Sequence, residues 1–149
     1  MKKKAALALL VIGLLATILM AIPALAAELK AGVSGKGQWY QVGSAHGTGY
    51  GSGRIYYNGP TASLTVKTVE GQRAKVTYTW SAAPDWKINN AGSMDYDAVV
   101  ADEGGIKRIK FTSPTGNEFS FIFDPAQPKI KGECRGKSGL ITYIEMTPM

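Results

Sequence analysis

Alternation with a period of two is the feature that most limits what this chain can fold into. Residues 73–80 read RAKVTYTW. Ala74, Val76, Tyr78 and Trp80 fall on one side, and Arg73, Lys75, Thr77 and Thr79 on the other. The same pattern returns along most of the chain. Ala62, Leu64 and Val66 alternate with Ser63, Thr65 and Lys67. Met94, Tyr96, Ala98 and Val100 oppose Asp95 and Asp97. Ile109 and Phe111 oppose Arg108, Lys110 and Thr112. Phe119, Phe121 and Phe123 alternate with Glu118, Ser120, Ile122 and Asp124, and Ile130, Gly132 and Cys134 oppose Lys129, Lys131, Glu133 and Arg135. Side chains of an extended strand point alternately to its two faces, so each run describes a strand with one buried and one wet face. Beyond the N-terminal segment, no ten residues read as an amphipathic helix.

Turn-forming residues punctuate the runs at Asn58-Gly59-Pro60, Glu70-Gly71-Gln72, Glu103-Gly104-Gly105, Pro114-Thr115-Gly116-Asn117 and Gly136-Lys137-Ser138-Gly139. The resulting strands are 38–42, 53–58, 61–68, 73–80, 93–101, 106–113, 118–124, 129–135 and 139–147. Residues 84–90 form the least regular connection and suit a short turn of helix. The expected fold class is all-β: a single antiparallel meander of about eight to nine strands. The nearly uniform hairpin spacing favours a barrel over a β-sandwich, and closure would remove exposed sheet edges. The last strand has apolar residues on both faces, Leu140, Ile144 and Met146 against Ile141 and Tyr143, which predicts cover or a partner on its outer side.

Residues 1–26 stand apart. Lys2, Lys3 and Lys4 precede an apolar run from Leu7 to Ala21, Pro23 breaks it, and Ala24-Leu25-Ala26 has the small residues a signal peptidase needs. The segment reads as a cleaved signal peptide, with 27–149 as one β-domain. The apolar run is short for a membrane span, which needs ~20 residues, so no membrane insertion is expected after cleavage. The product would be exported, to a periplasm or the extracellular space. Without the leader, 123 residues remain, with 14 Lys and Arg against 11 Asp and Glu. That balance, with no dense basic stripe, argues against nucleic acid. The single cysteine, Cys134, cannot form an internal disulfide. Its register makes it a small buried residue, and a monomer or a Cys134-linked dimer both remain open.

Residues 43–54, GSAHGTGYGSGR, place Gly47, Gly49, Gly51 and Gly53 on one face of an extended segment and His46, Thr48, Tyr50, Ser52 and Arg54 on the other. No Gly-Lys-Ser/Thr follows, and the dinucleotide spacing fails. The segment is therefore a mobile loop, or a bare face that lets a ring or a ligand come close. His46 is the only histidine, so a histidine metal site has no second ligand of its kind, and no nucleophile-elbow spacing surrounds it. The acids Asp95, Asp97, Asp102 and Glu103 lack the EF-hand pattern and read as a wet face opposite Lys107, Arg108 or Lys110. No catalytic residue, metal or cofactor is expected, and an enzyme is disfavoured.

Gly37-Gln38-Trp39-Tyr40 resembles the opening G-x-W-Y strand of the calycin barrels, the lipocalins and avidins. Met94-Asp95-Tyr96 is similar to the later lipocalin T-D-Y element at two of three positions. The resemblance implies a barrel whose opening-strand Trp closes one end. The chain departs from the lipocalins in lacking their C-terminal helix and disulfide.

Aromatics are the main binding resource. The adjacent pairs Trp39-Tyr40 and Tyr56-Tyr57 must each turn one ring outward. Trp39, Tyr50, Tyr57, Tyr78, Trp80 and Tyr96 are the candidate ligand-binding residues. A small eight-stranded barrel either fills its interior or holds one small ligand. Two functions follow: an exported, non-enzymatic barrel binding a small apolar or amphipathic ligand, or an exported protein-interaction module such as an envelope component, adhesin or enzyme inhibitor. Inward volume separates them. Complete filling by Tyr78, Trp80, Tyr96 and Phe121 would favour the second.

Overall fold

The computed structural model describes residues 27–43 and 55–149. The signal-peptide expectation and the glycine stretch, with His46 and Tyr50, lie outside the described residues. The strands are β1 (Ser34–Val42), β2 (Ile55–Tyr56), β3 (Thr61–Glu70), β4 (Arg73–Trp80), β5 (Gly92–Glu103), β6 (Ile106–Thr112), β7 (Glu118–Phe123), β8 (Ile130–Arg135) and β9 (Ile141–Pro148). A single 3-10 turn, Pro84–Trp86, occupies the connection between β4 and β5. The class is all-β, as the alternation requires.

From β3 to β9 each strand pairs antiparallel with the next, a plain meander. β1 pairs with β3 on one side and β9 on the other, so eight strands close into a barrel. β2 is the extra strand. Gln38 faces Thr61 and Gln41 faces Tyr56, so three steps along β1 match five along its partner. The excess is absorbed around Gly59, whose N–H donates to the Trp39 carbonyl at 3.1 Å, while the Trp39 N–H donates to the Pro60 carbonyl at 3.0 Å. The ladder thus continues through the break.

Closure depends on β1 serving two neighbours. Gly37 faces inward there, and a Cβ on it would collide with the Glu145 backbone. A side chain at this position would therefore force β1 and β9 apart. β1 also starts at Ser34, earlier than the expected residue 38, because Gly35 and Gly37 carry no side chain to show the alternation. In β3, Val66 faces Val76 but Thr68 faces Lys75. Lys67 is the extra residue of a bulge, which resets the parity so that Val69 packs against the core.

The interior follows the inward sets. Leu64, Val66, Val76, Ile109, Phe121, Phe123, Ile130, Ile144 and Met146 are almost wholly buried. Apolar burial of this kind is worth about 1.5–3 kcal/mol for each large side chain. One barrel end is covered by residues 27–33. Ala27 donates its N–H to the Gln127 carbonyl, Gly32 donates to the Val66 carbonyl, and Ala27 and Leu29 join the core. The outer face carries exposed ion pairs. Asp95 meets Lys67 at 2.8 Å and Thr77 at 2.6 Å, not the cations of β6 as expected. The reason is the register: β5 pairs with β6 only from Val99 onward, so its first half lies over β4 and β3 alone. Asp102 and Glu103, in the paired half, do meet Lys107 and Arg108.

Candidate functional site

The barrel end opposite residues 27–33 is a mouth. β1 ends there, β3 begins there, and the connections 84–88, 113–117 and 136–140 form its rim. Alternation puts Trp39, Tyr78, Phe119 and Cys134 inward at this level, and the filled interior of Phe121, Phe123 and Ile144 lies beneath them. The mouth holds two adjoining cavities of about 390 Å3 each. One is bounded by Trp39, Trp86, Cys134, Leu140 and Thr142, the other by Trp80, Met94, Tyr96 and Thr115. They share a wall of Pro60, Tyr78, Lys87, Ile88, Asn117 and Phe119. A larger groove of about 620 Å3 on the outer wall, between Asp97, Lys110, Glu118, Glu133 and Arg135, is predominantly polar. The mouth is the better ligand site because it joins apolar walls with a few convergent polar groups.

The floor is an aromatic assembly. Tyr78 stacks on Trp80 at 5.8 Å and lies 5.1 Å from Phe119. Tyr96 stacks on Phe111 at 4.5 Å, and Phe111 on Phe119 at 5.1 Å. Trp39 meets Phe119 edge-on at 6.0 Å. Such offset and edge contacts suit the ring quadrupoles and hold the rings in place. Of the four residues whose complete filling of the interior would favour an interaction module, Tyr78 touches Trp80 and Phe121, and Tyr96 joins them through Phe111. Phe121 fills the barrel below the mouth, while Tyr78, Trp80 and Tyr96 border the space above it.

Polar groups at the floor are few and neutral. The Trp39 indole N–H donates to the Tyr78 hydroxyl at 2.7 Å. Burial pushes the Tyr78 phenol well above its ordinary value, although the Trp39 bond opposes this. Burial likewise pushes the Cys134 thiol up to about 12. Both groups keep their protons at neutral pH. A thiol or phenol serves as a nucleophile or base only when its anion is favoured, and here the surroundings disfavour it.

The rim is more polar. Residues 84–88 fold over one side, closed by paired hydrogen bonds between Ala83 and Ile88 and by a left-handed Lys87 at φ 58°. Trp86 is the mouth wall in this segment. Its indole N–H donates to Asn58 Oδ1 at 2.9 Å, and its ring rests on Gly59, where a Cβ would come within 2.8 Å of ring atom Cζ2. Asp85 and Lys87 are exposed beside it.

Of the candidate binding residues, Trp39, Tyr78, Trp80 and Tyr96 all meet at the mouth. Tyr57 does not. It stands on the outer wall, 62% exposed, with its ring 5.1 Å from Tyr40, which in turn lies 5.8 Å from Tyr143. Trp39-Tyr40 splits one ring inward and one outward, as two adjacent strand residues must. Sequence reasoning missed Phe119, Trp86, Ile88, Asn117 and Leu140 as lining residues. Trp86 offered one signal, being the only ring in the irregular connection. Phe119 offered none, since every inward Phe of β7 looks alike in sequence.

Comparison with known proteins finds no matching family model, no matching curated protein and no matching solved structure. The closed antiparallel barrel is compatible in architecture with the calycin-like expectation.

Proposed function

We propose that this protein is an exported, non-enzymatic β-barrel that binds a small apolar or amphipathic ligand in its mouth. The observation that carries the reading is the two-lobed cavity over Trp39, Tyr78 and Phe119. Its volume falls in the ~300–1,000 Å3 range of small-molecule sites, and its walls are mostly apolar. Preset, mutually packed rings lose little freedom on binding, which favours affinity. The neutral state of Tyr78 and Cys134 supports binding over catalysis. The basic start, apolar run and Ala24-Leu25-Ala26 of residues 1–26 support export.

Native mass spectrometry of protein purified from the exported fraction, with titration by the fluorescent apolar amine N-phenyl-1-naphthylamine, tests the proposal. A co-purifying small molecule, or saturable binding at one to one that Trp86→Ala weakens, is the expected result. No adduct and no saturable binding would overturn it.

One observation favours a second reading, a protein-interaction module. Tyr40, Tyr57 and Tyr143 form an outward ring cluster beside the exposed Val42 and Ile55. Tyrosine-rich surface is typical of protein interfaces. Sedimentation velocity of wild type and Tyr57→Ser separates the readings for self-association: a dimer lost on substitution supports the module, and a monomer at all concentrations counts against a dimeric form of it.

A further inference from the structure

Tyr78 is 5% exposed, and it borders both lobes of the mouth. A phenolic hydroxyl accepts hydrogen bonds and has one proton to donate. The oxygen is already used as an acceptor by the Trp39 indole N–H at 2.7 Å. Trp39 offers only a donor, so it cannot take the Tyr78 proton. Among the described residues no acceptor takes it. Trp39, which donates to the hydroxyl, and Cys134, which interacts with it electrostatically, both line the first lobe. Buried polar groups are nearly always hydrogen-bonded; the Tyr78 oxygen meets that rule through Trp39, and its remaining proton, on a residue that borders both lobes, is available to a partner that enters the cavity.

The chemistry of that partner is constrained. It must present an acceptor, because the floor presents a donor. The acceptor must be neutral, because the charged groups of this wall among the described residues, Asp85 and Lys87, are exposed on the rim and the lining beneath them is mostly apolar. A carboxylate at the depth of Phe119 and Tyr78 would lose its hydration, and the cation of the described wall, Lys87, is exposed at the rim rather than buried beside it. The apolar walls of both lobes then suit a flat hydrocarbon or aromatic body above the head.

We propose that the mouth takes its ligand head-down, a neutral carbonyl or ether oxygen accepting the Tyr78 hydroxyl proton at the floor and an apolar body lying along Phe119, Ile88 and Trp86. This rests on the mouth being a ligand site, as proposed above. The Trp39-to-Tyr78 hydrogen bond orients the phenol, so Trp39 is a positioning residue. A bound acceptor extends the chain Trp39 N–H to Tyr78 O–H to ligand oxygen, and hydrogen bonds in such a chain strengthen one another.

Two probes of nearly equal shape test this: 2-acetylnaphthalene, which carries a carbonyl, and 2-isopropenylnaphthalene, which carries none. Calorimetric titration of the full chain is expected to show the ketone binding about tenfold tighter, the ratio one hydrogen bond supplies. Tyr78→Phe alone frees the Trp39 indole N–H, so the variant that tests the donor is Trp39→Phe with Tyr78→Phe, which removes both and is expected to bring that ratio to about one. The anion 2-naphthoate is expected to bind more weakly than the ketone. In nitrogen-15 spectra of the wild type, the Trp39 indole resonance should move with the ketone more than with the hydrocarbon, a readout that needs no variant. Equal affinities for the two probes in the wild type, as a hydroxyl satisfied by water alone would give, overturn the proposal. Selectivity retained in the Trp39→Phe, Tyr78→Phe double variant, or naphthoate binding as tightly as the ketone, also overturns it. Failure of every probe, together with native spectra free of cargo, would instead overturn the ligand-site reading itself.

Discussion

Substituting alanine for Gly132 tests whether the closed core depends on rings seated against bare backbone. Gly132 lies inward on β8, directly opposite Phe121 of β7 and Ile144 of β9. A Cβ there would sit 2.6 Å from two Phe121 ring atoms and 2.7 Å from Ile144 Cγ2. Carbon atoms prefer ~3.5–4.0 Å, so the neighbours would have to withdraw by about 1 Å. They have no room to do so. Phe121 is 0% exposed and Ile144 1% exposed, and the Phe121 ring is held by Phe111 at 5.9 Å and Trp39 at 6.2 Å. Overpacking a filled core costs about 1–3 kcal/mol. Alanine recovers about 0.4–1 kcal/mol by restricting the unfolded chain. The expected net loss is about 1–2 kcal/mol, a Tm lower by roughly 3–10 °C for a domain of this size. Thermal and urea unfolding followed by near-ultraviolet circular dichroism would measure it. Phe121→Leu removes the ring atoms that collide, so the double substitution should be less damaging than the two singles added, by about 1 kcal/mol. A Gly132→Ala protein as stable as the wild type, or strict additivity with Phe121→Leu, would refute the argument.

Cys134, with its thiol pushed up to about 12 from an ordinary 9.0, should react with Ellman's reagent on the order of a hundredfold or more slowly in the native protein than in denaturant; similar rates in both states would contradict its burial. Because burial raises both the Cys134 and Tyr78 values in the fold, the unfolded chain loses these protons first. Stability should be complete below about pH 9 and decline as pH rises toward 12, seen as a falling urea midpoint; a midpoint constant across that window would sink the assignment. Tyr78→Phe leaves the buried Trp39 indole N–H without its acceptor and should cost about 1–3 kcal/mol in urea unfolding. Disruption of the Lys67–Asp95 pair by Lys67→Ala should leave the urea midpoint essentially unchanged, since both groups are exposed.

The meander was legible because its signal is local. Each strand from β3 to β9 lies within a residue or two of its expected span, since alternation and turn residues are both read over a few positions. The local signal failed where side chains are absent. β1 begins at Ser34, ahead of the expected residue 38, because glycine at 35 and 37 writes no pattern. It was also incomplete at Lys67, where a bulge changes parity without any mark in the composition. Among the described residues, rings come close to bare glycines at Gly132, beneath Phe121, and at Gly59, beneath Trp86.

The candidate site divides in the same way. Four aromatic candidates share the mouth because alternation turned them all inward, and Trp39, Tyr78 and Trp80 sit at the ends of their strands that the topology brings together. Tyr57 points outward, where adjacent-residue geometry alone could not say which member of Tyr56-Tyr57 would face in.

By itself the sequence determined the class, the strand spans and which face of each strand is apolar. All of these follow from the geometry of one extended chain. Only the tertiary structure decided that β1 meets β9, that residues 27–33 cover one end, and that the described residues of the other end surround a cavity. Trp39 and Ile144 face each other from opposite ends of the domain, and no local pattern encodes a pairing at that distance. The Tyr78 hydroxyl shows the division most clearly. Sequence turned it inward, but only the fold set it against Trp39 and Phe119 in the wall that the two lobes share with Lys87 and Ile88.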